Sequence, residues 1–207
     1  MIRVKICGIT TAEGFDSAVA AGADWVGFNF FPPSPRHVTP ARAAQLAARA
    51  RHGPIVVGLF VDPTDAAIAD ALAAVPLDIL QIYAAPTRVA DIRSRFGVPV
   101  WRAVGVSTSA DLPGMAEGAD ALVIEAKPPP DVTRPGGNAV TFDWSVMAGW
   151  VPPCDWLLAG GLTPDNVAAA IRATRALAVD VSSGVERLRG VKAPDLVHAF
   201  IAAARGA

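Results

Sequence analysis

Three residues able to move protons fall at the carboxyl ends of short apolar runs, or within one residue of them. They are Cys7 closing "RVKIC" (3–7), Glu125 in "ALVIEA" (121–126) and Asp180 in "LAVDV" (177–181). A thiol in mid-strand is ordinary core packing. A thiol where a strand yields to a loop, with Gly8 directly after it, is placed to act as a reagent. Its thiolate is the active form, and the ordinary pKa near 8.5 must be lowered by a positive neighbour for it to form at neutral pH. Lys5, two residues back, points to the same side of a strand as Cys7.

A second constellation is suited to an anion. "AGGLTPDNV" (159–167) carries Gly160 and Gly161, and "DVSSGVE" (180–186) carries Ser182, Ser183 and Gly184. Adjacent glycines let the backbone come close to a phosphate, and the serines offer N–H groups and hydroxyls. Either stretch alone is as well read as a turn with a helix cap. Together, at the ends of consecutive strands, they read as a phosphate grip.

The composition sets the class of protein around these residues. Hydrophobic residues make up 52% of the 207 and charged residues 18%, which excludes a disordered chain. The formal net charge is −1, so no bulk attraction to nucleic acid or an anionic membrane is implied, and an anionic ligand must be held by local groups. Cys7 and Cys154 make neither a disulfide framework nor a zinc site, and His37, His52 and His198 show no ligand spacing. With no signal peptide and no apolar run of membrane-spanning length, a cytoplasmic setting is expected.

Eight short apolar runs recur at even intervals, at 3–7, 25–30, 55–61, 78–83, 98–104, 121–126, 155–159 and 177–181. Most are apolar at consecutive positions, the pattern of parallel strands covered on both faces. Ala-rich helical stretches alternate with them. Those at 11–23, 39–50 and 163–174 open on threonine, twice followed by proline, as N-cap signals. Stretches at 62–75, 85–97 and 193–206 are equally strong, while 108–117 and 143–149 are shorter. Eight strand–helix units without a polar linker predict a single-domain (β/α)8 barrel over 1–207, with an open doubly wound sheet as the competitor. A barrel puts Cys7, Glu125 and Asp180 on its carboxyl-end face, where chemistry belongs, and Cys154 on the opposite face.

Five ordered motifs carry a family resemblance: "KICGIT" (5–10), "PPSPRHV" (32–38), "GGNAVTFDW" (136–144), "AGGLTPDN" (159–166) and "DVSSGVE" (180–186). In order and spacing the chain resembles the phosphoribosylanthranilate isomerases, essentially from end to end. The resemblance implies a cofactor-independent, phosphate-binding barrel that takes a phosphorylated small molecule through an Amadori rearrangement in tryptophan biosynthesis. No metal, nucleic acid or membrane partner is implied, and a monomer is expected rather than a homodimer. It also implies roles. Cys7 is the general base, Arg36 faces the substrate and meets the anthranilate carboxylate, and Asp180 shapes the site without entering the catalytic set. The family's acid is an aspartate in the sixth strand, and here the carboxylate arrives as Glu125, one methylene longer.

Two further departures fall near the acid. "LQIYAA" (80–85) has Tyr83 where the family has a substrate-site histidine and Ala84 where it has glycine. "GGNAV" (136–140) has Asn138 and Ala139 where the family has a more flexible Ser/Thr-Gly pair. The alternative readings are a diverged barrel isomerase or epimerase for another phosphorylated sugar, and a non-catalytic phosphosugar-binding homologue. The bland reading of Glu125 is a rim carboxylate paired with Lys127 or Arg102.

Overall fold

The computed structural model describes residues 1–49, 53–127 and 141–207, so His52 and the 136–140 loop lie outside the described residues. Its eight main strands are β1 (Arg3–Cys7), β2 (Trp25–Asn29), β3 (Ile55–Val61), β4 (Ile79–Tyr83), β5 (Val100–Val106), β6 (Ala121–Ala126), β7 (Asp155–Leu158) and β8 (Ala178–Val181). They pair in parallel, in sequence order, into a closed barrel, β8 returning to β1 with Lys5 opposite Asp180. The closed sheet excludes the doubly wound alternative.

Alternation along each strand divides the side chains between two cores. One set fills the barrel with Trp25, Val57, Ile79, Trp101, Val123 and Leu157 among others. The Trp25 and Trp101 rings meet edge to face at 5.3 Å. The other set, including Val4, Ile6, Phe28, Leu80 and Leu122, meets the helices. Burial on both faces is why these strands read as continuous apolar runs. The same alternation decides the site. Because Ala121 and Val123 point inward, so does Glu125, and in the same way Ile79 leads to Tyr83 and Ala178 to Asp180.

The helices are α1 (Ala12–Ala20), α2 (Pro40–Ala47), α3 (Asp65–Ala74), α4 (Pro86–Phe96), α5 (Val167–Thr174) and α6 (Pro194–Arg205). Thr11, Thr39 and Thr64 cap the first three by accepting from the N–H groups of Gly14, Arg42 and Ala67. Their inward faces carry apolar residues at helical spacing, such as Phe15 and Ala18, Ile68 and Ala71, and Val89 and Ile92.

Three features depart from the sequence reading. The stretches at 108–117 and 143–149 form only 3-10 turns, Ser109–Asp111 and Trp144–Met147, the first halted by Pro113 and Gly114. Thr163 does not cap α5, which starts at Val167. Instead Asn166 accepts from the Thr163 N–H (2.8 Å) and donates to the Gly161 carbonyl (3.0 Å), fixing the glycine loop. And the chain makes a small antiparallel hairpin after β8, β9 (Glu186–Leu188) with β10 (Val191–Lys192).

A repeated device closes the barrel's amino end. Asp24, Asp78 and Asp120 each stand at the entrance to an even-numbered strand and accept, at 2.8 Å, the N–H of Val4, Val56 or Val100 on the strand before. "GADW" and "GADA" carry this self-similarity in the sequence.

Candidate active site

The carboxyl ends of the strands surround an open cavity of about 680 Å³, a volume that includes the solvent space at its mouth. Cys7, Arg36, Tyr83, Glu125, Gly160, Gly161, Ser182 and Ser183 all line it, with Asp180 beside them. Gly184 stands behind the lining. A side-chain carbon there would lie 1.8 Å from the Leu162 carbonyl oxygen, so the loops after β7 and β8 interlock and only glycine permits it. Gly160 and Gly161 have φ of +87° and +63°, the left-handed conformation that glycine adopts without strain.

Cys7 is 4% exposed, at the mouth of a buried charge cluster. Lys5, fully buried, places its Nζ 3.1 Å from Asp180 Oδ2. A carbon added at Gly27, across from Cys7 in the β1–β2 register, would lie 2.9 Å from Cys7 Sγ and 3.3 Å from Lys5 Cε. The thiol and the lysine stem therefore pack on one glycine. Burial pushes the thiol up from its ordinary value, and Lys5 pulls against that more strongly than any other neighbour. Burial also opposes the Lys5 charge, but attraction to Asp180 and Cys7 outweighs it and raises the lysine. Gly27→Ala is expected to displace Sγ and lower kcat about a hundredfold while the melting curve stays cooperative. An unchanged kcat would show that the position of Sγ does not matter.

Glu125 is 5% exposed and pairs with neither residue of its bland reading. Arg102 pairs with Glu117, and Lys127 with Asp111 at 3.7 Å. Burial is the main cause that pushes the Glu125 carboxyl up to about 8. Hydrogen bonding from the Tyr83 hydroxyl opposes the rise, and the negative Asp180 adds to it. Tyr83 is itself raised well above the ordinary phenol value, by burial first and by Glu125 second. At neutral pH the cavity thus holds a protonated carboxylic acid, a thiol beside a lysine, and a neutral phenol.

Arg36 lies across Gly8, where a side-chain carbon would meet Arg36 Cδ at 2.5 Å. Its Nε and Nη2 donate to the two oxygens of Glu186, each at 2.8 Å. The two-point carboxylate contact expected with a ligand is therefore made along this edge by the protein itself. Similarly, the Ser182 hydroxyl is committed to the protein, donating to the Cys7 carbonyl at 3.0 Å and accepting from Lys192 at 3.2 Å. Sequence reading passed over Glu186 and Lys192. Glu186 is 150 residues from Arg36, and the one local signal was Gly190 in the two-residue turn between the hairpin strands.

Among the described residues no group of three or more His, Cys, Asp or Glu is arranged to hold a metal ion, and no helix is long and apolar enough to cross a membrane. The family model described as N-(5'phosphoribosyl)anthranilate (PRA) isomerase matches residues 4–203. The chain belongs to this family. The N-(5'-phosphoribosyl)anthranilate isomerase of Acidiphilium cryptum is 56% identical over 207 residues, covering all of both chains. A phosphoribosyl anthranilate isomerase solved with reduced 1-(o-carboxyphenylamino)-1-deoxyribulose 5-phosphate superposes with a TM-score of 0.83 at 34% identity, again over both full chains. A Thermotoga maritima member, dimeric and crystallised as generated monomers, gives 0.83 at 35% identity with the same coverage. Membership gives the cavity's residues a reaction to be weighed against, and of the departures read in the sequence Glu125 and Tyr83 are, among the described residues, the two that line the cavity.

Proposed function

We propose that the chain isomerises N-(5'-phosphoribosyl)anthranilate to 1-(2-carboxyphenylamino)-1-deoxy-D-ribulose 5-phosphate, an intramolecular aldose–ketose conversion that needs no cofactor. The observation that carries the reading is a cavity lined together by a lysine-flanked thiol, a carboxylic acid held protonated by burial, and two glycine-rich loops. Glu125 gives its proton to the ribose ring oxygen as the bond from that oxygen to the anomeric carbon breaks, leaving a protonated Schiff base. The Cys7 thiolate then removes the proton from the sugar's second carbon, and the electron pair moves toward the nitrogen to give an enolamine. Its tautomerisation to the ketone completes the rearrangement. Opposite proton demands on one small sugar frame are why an acid and a base are both needed.

The loops at 160–161 and 182–184 hold the phosphate, mainly through backbone N–H groups. Arg36, oriented by Glu186, attends the anthranilate carboxylate, and Tyr83 orients the acid. Asp180 fixes Lys5 beside the thiol. A cytoplasmic monomer is part of the same proposal. Among the described residues the exposed large apolar side chains, Met1, Ile55, Met115, Val151, Leu177, Leu188 and Val191, come from several elements and loops. Sedimentation at micromolar concentration tests the monomer.

The experiment is the loss of substrate fluorescence on adding purified protein, followed against pH. The productive form needs Cys7 ionised and Glu125 protonated, yet Cys7 is raised from its ordinary value while Glu125 loses its proton only near pH about 8. Below that value the acid stays loaded and the thiolate fraction grows with pH, so kcat/KM is expected to climb about tenfold per pH unit through neutrality and then flatten. No fluorescence loss above the spontaneous rate would remove the isomerase reading. A profile falling through neutral pH would remove the assignment of acid and base.

A further inference from the structure

The β9–β10 hairpin turns one side chain beneath the loop after β8. Lys192, with its side chain fully buried, donates from Nζ to the Ser182 carbonyl at 3.0 Å, to the Ser182 hydroxyl at 3.2 Å and to Glu186 Oε1 at 2.6 Å. Ser182 opens the turn Ser183–Val185, so the ammonium group lies directly under the backbone assigned to the phosphate. The hairpin is pinned in place around it, with Thr10 Oγ1 donating to the Gly190 carbonyl at 2.6 Å.

The counter-charge to Lys192 is divided. Glu186 Oε1 also accepts from Arg36 Nε, while Oε2 accepts from Arg36 Nη2 and, at 3.0 Å, from the Gly190 N–H. One carboxylate thus accepts from both the lysine and the arginine. Water is excluded from the lysine charge, so its field is weakly screened. The field extends to Cys7, whose thiol it pulls downward. Lys192 itself is pushed down to about 8, chiefly by burial, with Glu186 opposing the fall and the Arg36 charge adding to it.

We propose that Lys192 is the buried cation of the phosphate subsite: it acts through Ser182 to set the β8 loop and supplies the positive field in which that loop's N–H groups hold a dianion, while Glu186 apportions charge between the phosphate end and Arg36. The inference rests on the phosphate assignment made above and adds to it a positioning residue and a tuning residue, neither of which needs to touch the ligand. It also explains why a hairpin this short is built with charged residues turned inward.

The test is titration of inorganic phosphate, read by phosphorus NMR, into the full-length wild type, Lys192→Met, Lys192→Arg and Glu186→Gln, each checked for a cooperative melt. Lys192→Met is expected to weaken phosphate binding at least about tenfold, and Lys192→Arg to recover most of that loss. Glu186→Gln is expected to strengthen binding about threefold, because it removes negative charge beside the lysine. A merely structural role gives the opposite sign for Glu186→Gln, since cutting the same network on either side would loosen the loop and weaken binding. Binding by Lys192→Met within about threefold of wild type overturns the proposal, as does weaker binding by Glu186→Gln. If Lys192→Met does not fold, the sign of the Glu186→Gln effect decides. Failure of wild type to bind phosphate sinks the subsite assignment and the proposal together, whereas wild-type binding that ignores Lys192 sinks the proposal alone.

Discussion

Cys7→Ser is expected to lower kcat by about a thousandfold or more, while affinity for the reduced product analogue stays within about tenfold. Serine fits the space, because the side chain packs on Gly27 and loses only the larger sulfur. What it lacks is an accessible anion. The Cys7 thiol is raised by burial, yet Lys5 keeps its thiolate within reach. The same lysine cannot bring an alcohol, which ionises far above a thiol, into range. The loss should therefore fall on the proton abstraction and leave ground-state binding nearly intact. The proposed role is that of a base and not of a covalent nucleophile, so wild type mixed with substrate should show no mass adduct at Cys7. Near-normal turnover by Cys7→Ser would end the assignment.

Much of this was legible in the sequence because of one physical circumstance. Strands buried on both faces are written as uninterrupted apolar runs, so all eight strands were visible with their ends close to where the barrel has them. Once those ends are known, alternation puts Cys7, Glu125 and Asp180 on the inner face of the rim. What the sequence did not reveal depends on contacts between distant residues. Lys5 and Asp180 are 175 residues apart and meet only because β8 closes on β1 in that register. Arg36 read as a ligand-facing arginine, and only the fold shows Glu186 along one edge of its guanidinium. The hairpin is short and largely polar, so its inward lysine gave no apolar signal. The Thr-Pro pair at 163–164 carries the local chemistry of a helix cap, but Asn166 uses that turn to hold the glycine loop instead.

Glu125→Gln is expected to trade activity for stability. The amide keeps the volume and can still meet the Tyr83 hydroxyl, but it has no proton to give, so kcat/KM should fall by about a thousandfold or more. Glu125→Asp keeps a proton donor and should remain at least about tenfold above the amide variant, though it draws the carboxyl back by roughly a bond length. The stability effect follows from linkage. Folded Glu125 loses its proton near pH about 8, against an ordinary value of 4.5. Between those values the folded chain keeps a proton that the unfolded chain has released, so stability is fully present below the ordinary value and is lost as pH rises toward the folded one. A neutral amide has no such dependence. At pH about 8 the amide variant should melt several degrees above wild type, and the difference should shrink as the pH is lowered toward the ordinary carboxylate range. An active amide variant would move the acid's role elsewhere, with Asp180 the first residue to examine. A variant with no gain in Tm at alkaline pH would mean that the wild-type carboxyl ionises without penalty.

The division of labour between Cys7 and Glu125 across one sugar is tested most directly by a crystal structure of the protein with reduced 1-(o-carboxyphenylamino)-1-deoxyribulose 5-phosphate. The phosphate should lie on the N–H groups of the 160–161 and 182–184 loops, with Cys7 Sγ against the sugar's second carbon. The Glu125 carboxyl should stand on the other side, within hydrogen-bonding distance of the oxygen that closes the ribose ring. A ligand whose sugar meets Cys7 and Glu125 from the same side, or whose phosphate lies away from those loops, would contradict the mechanism.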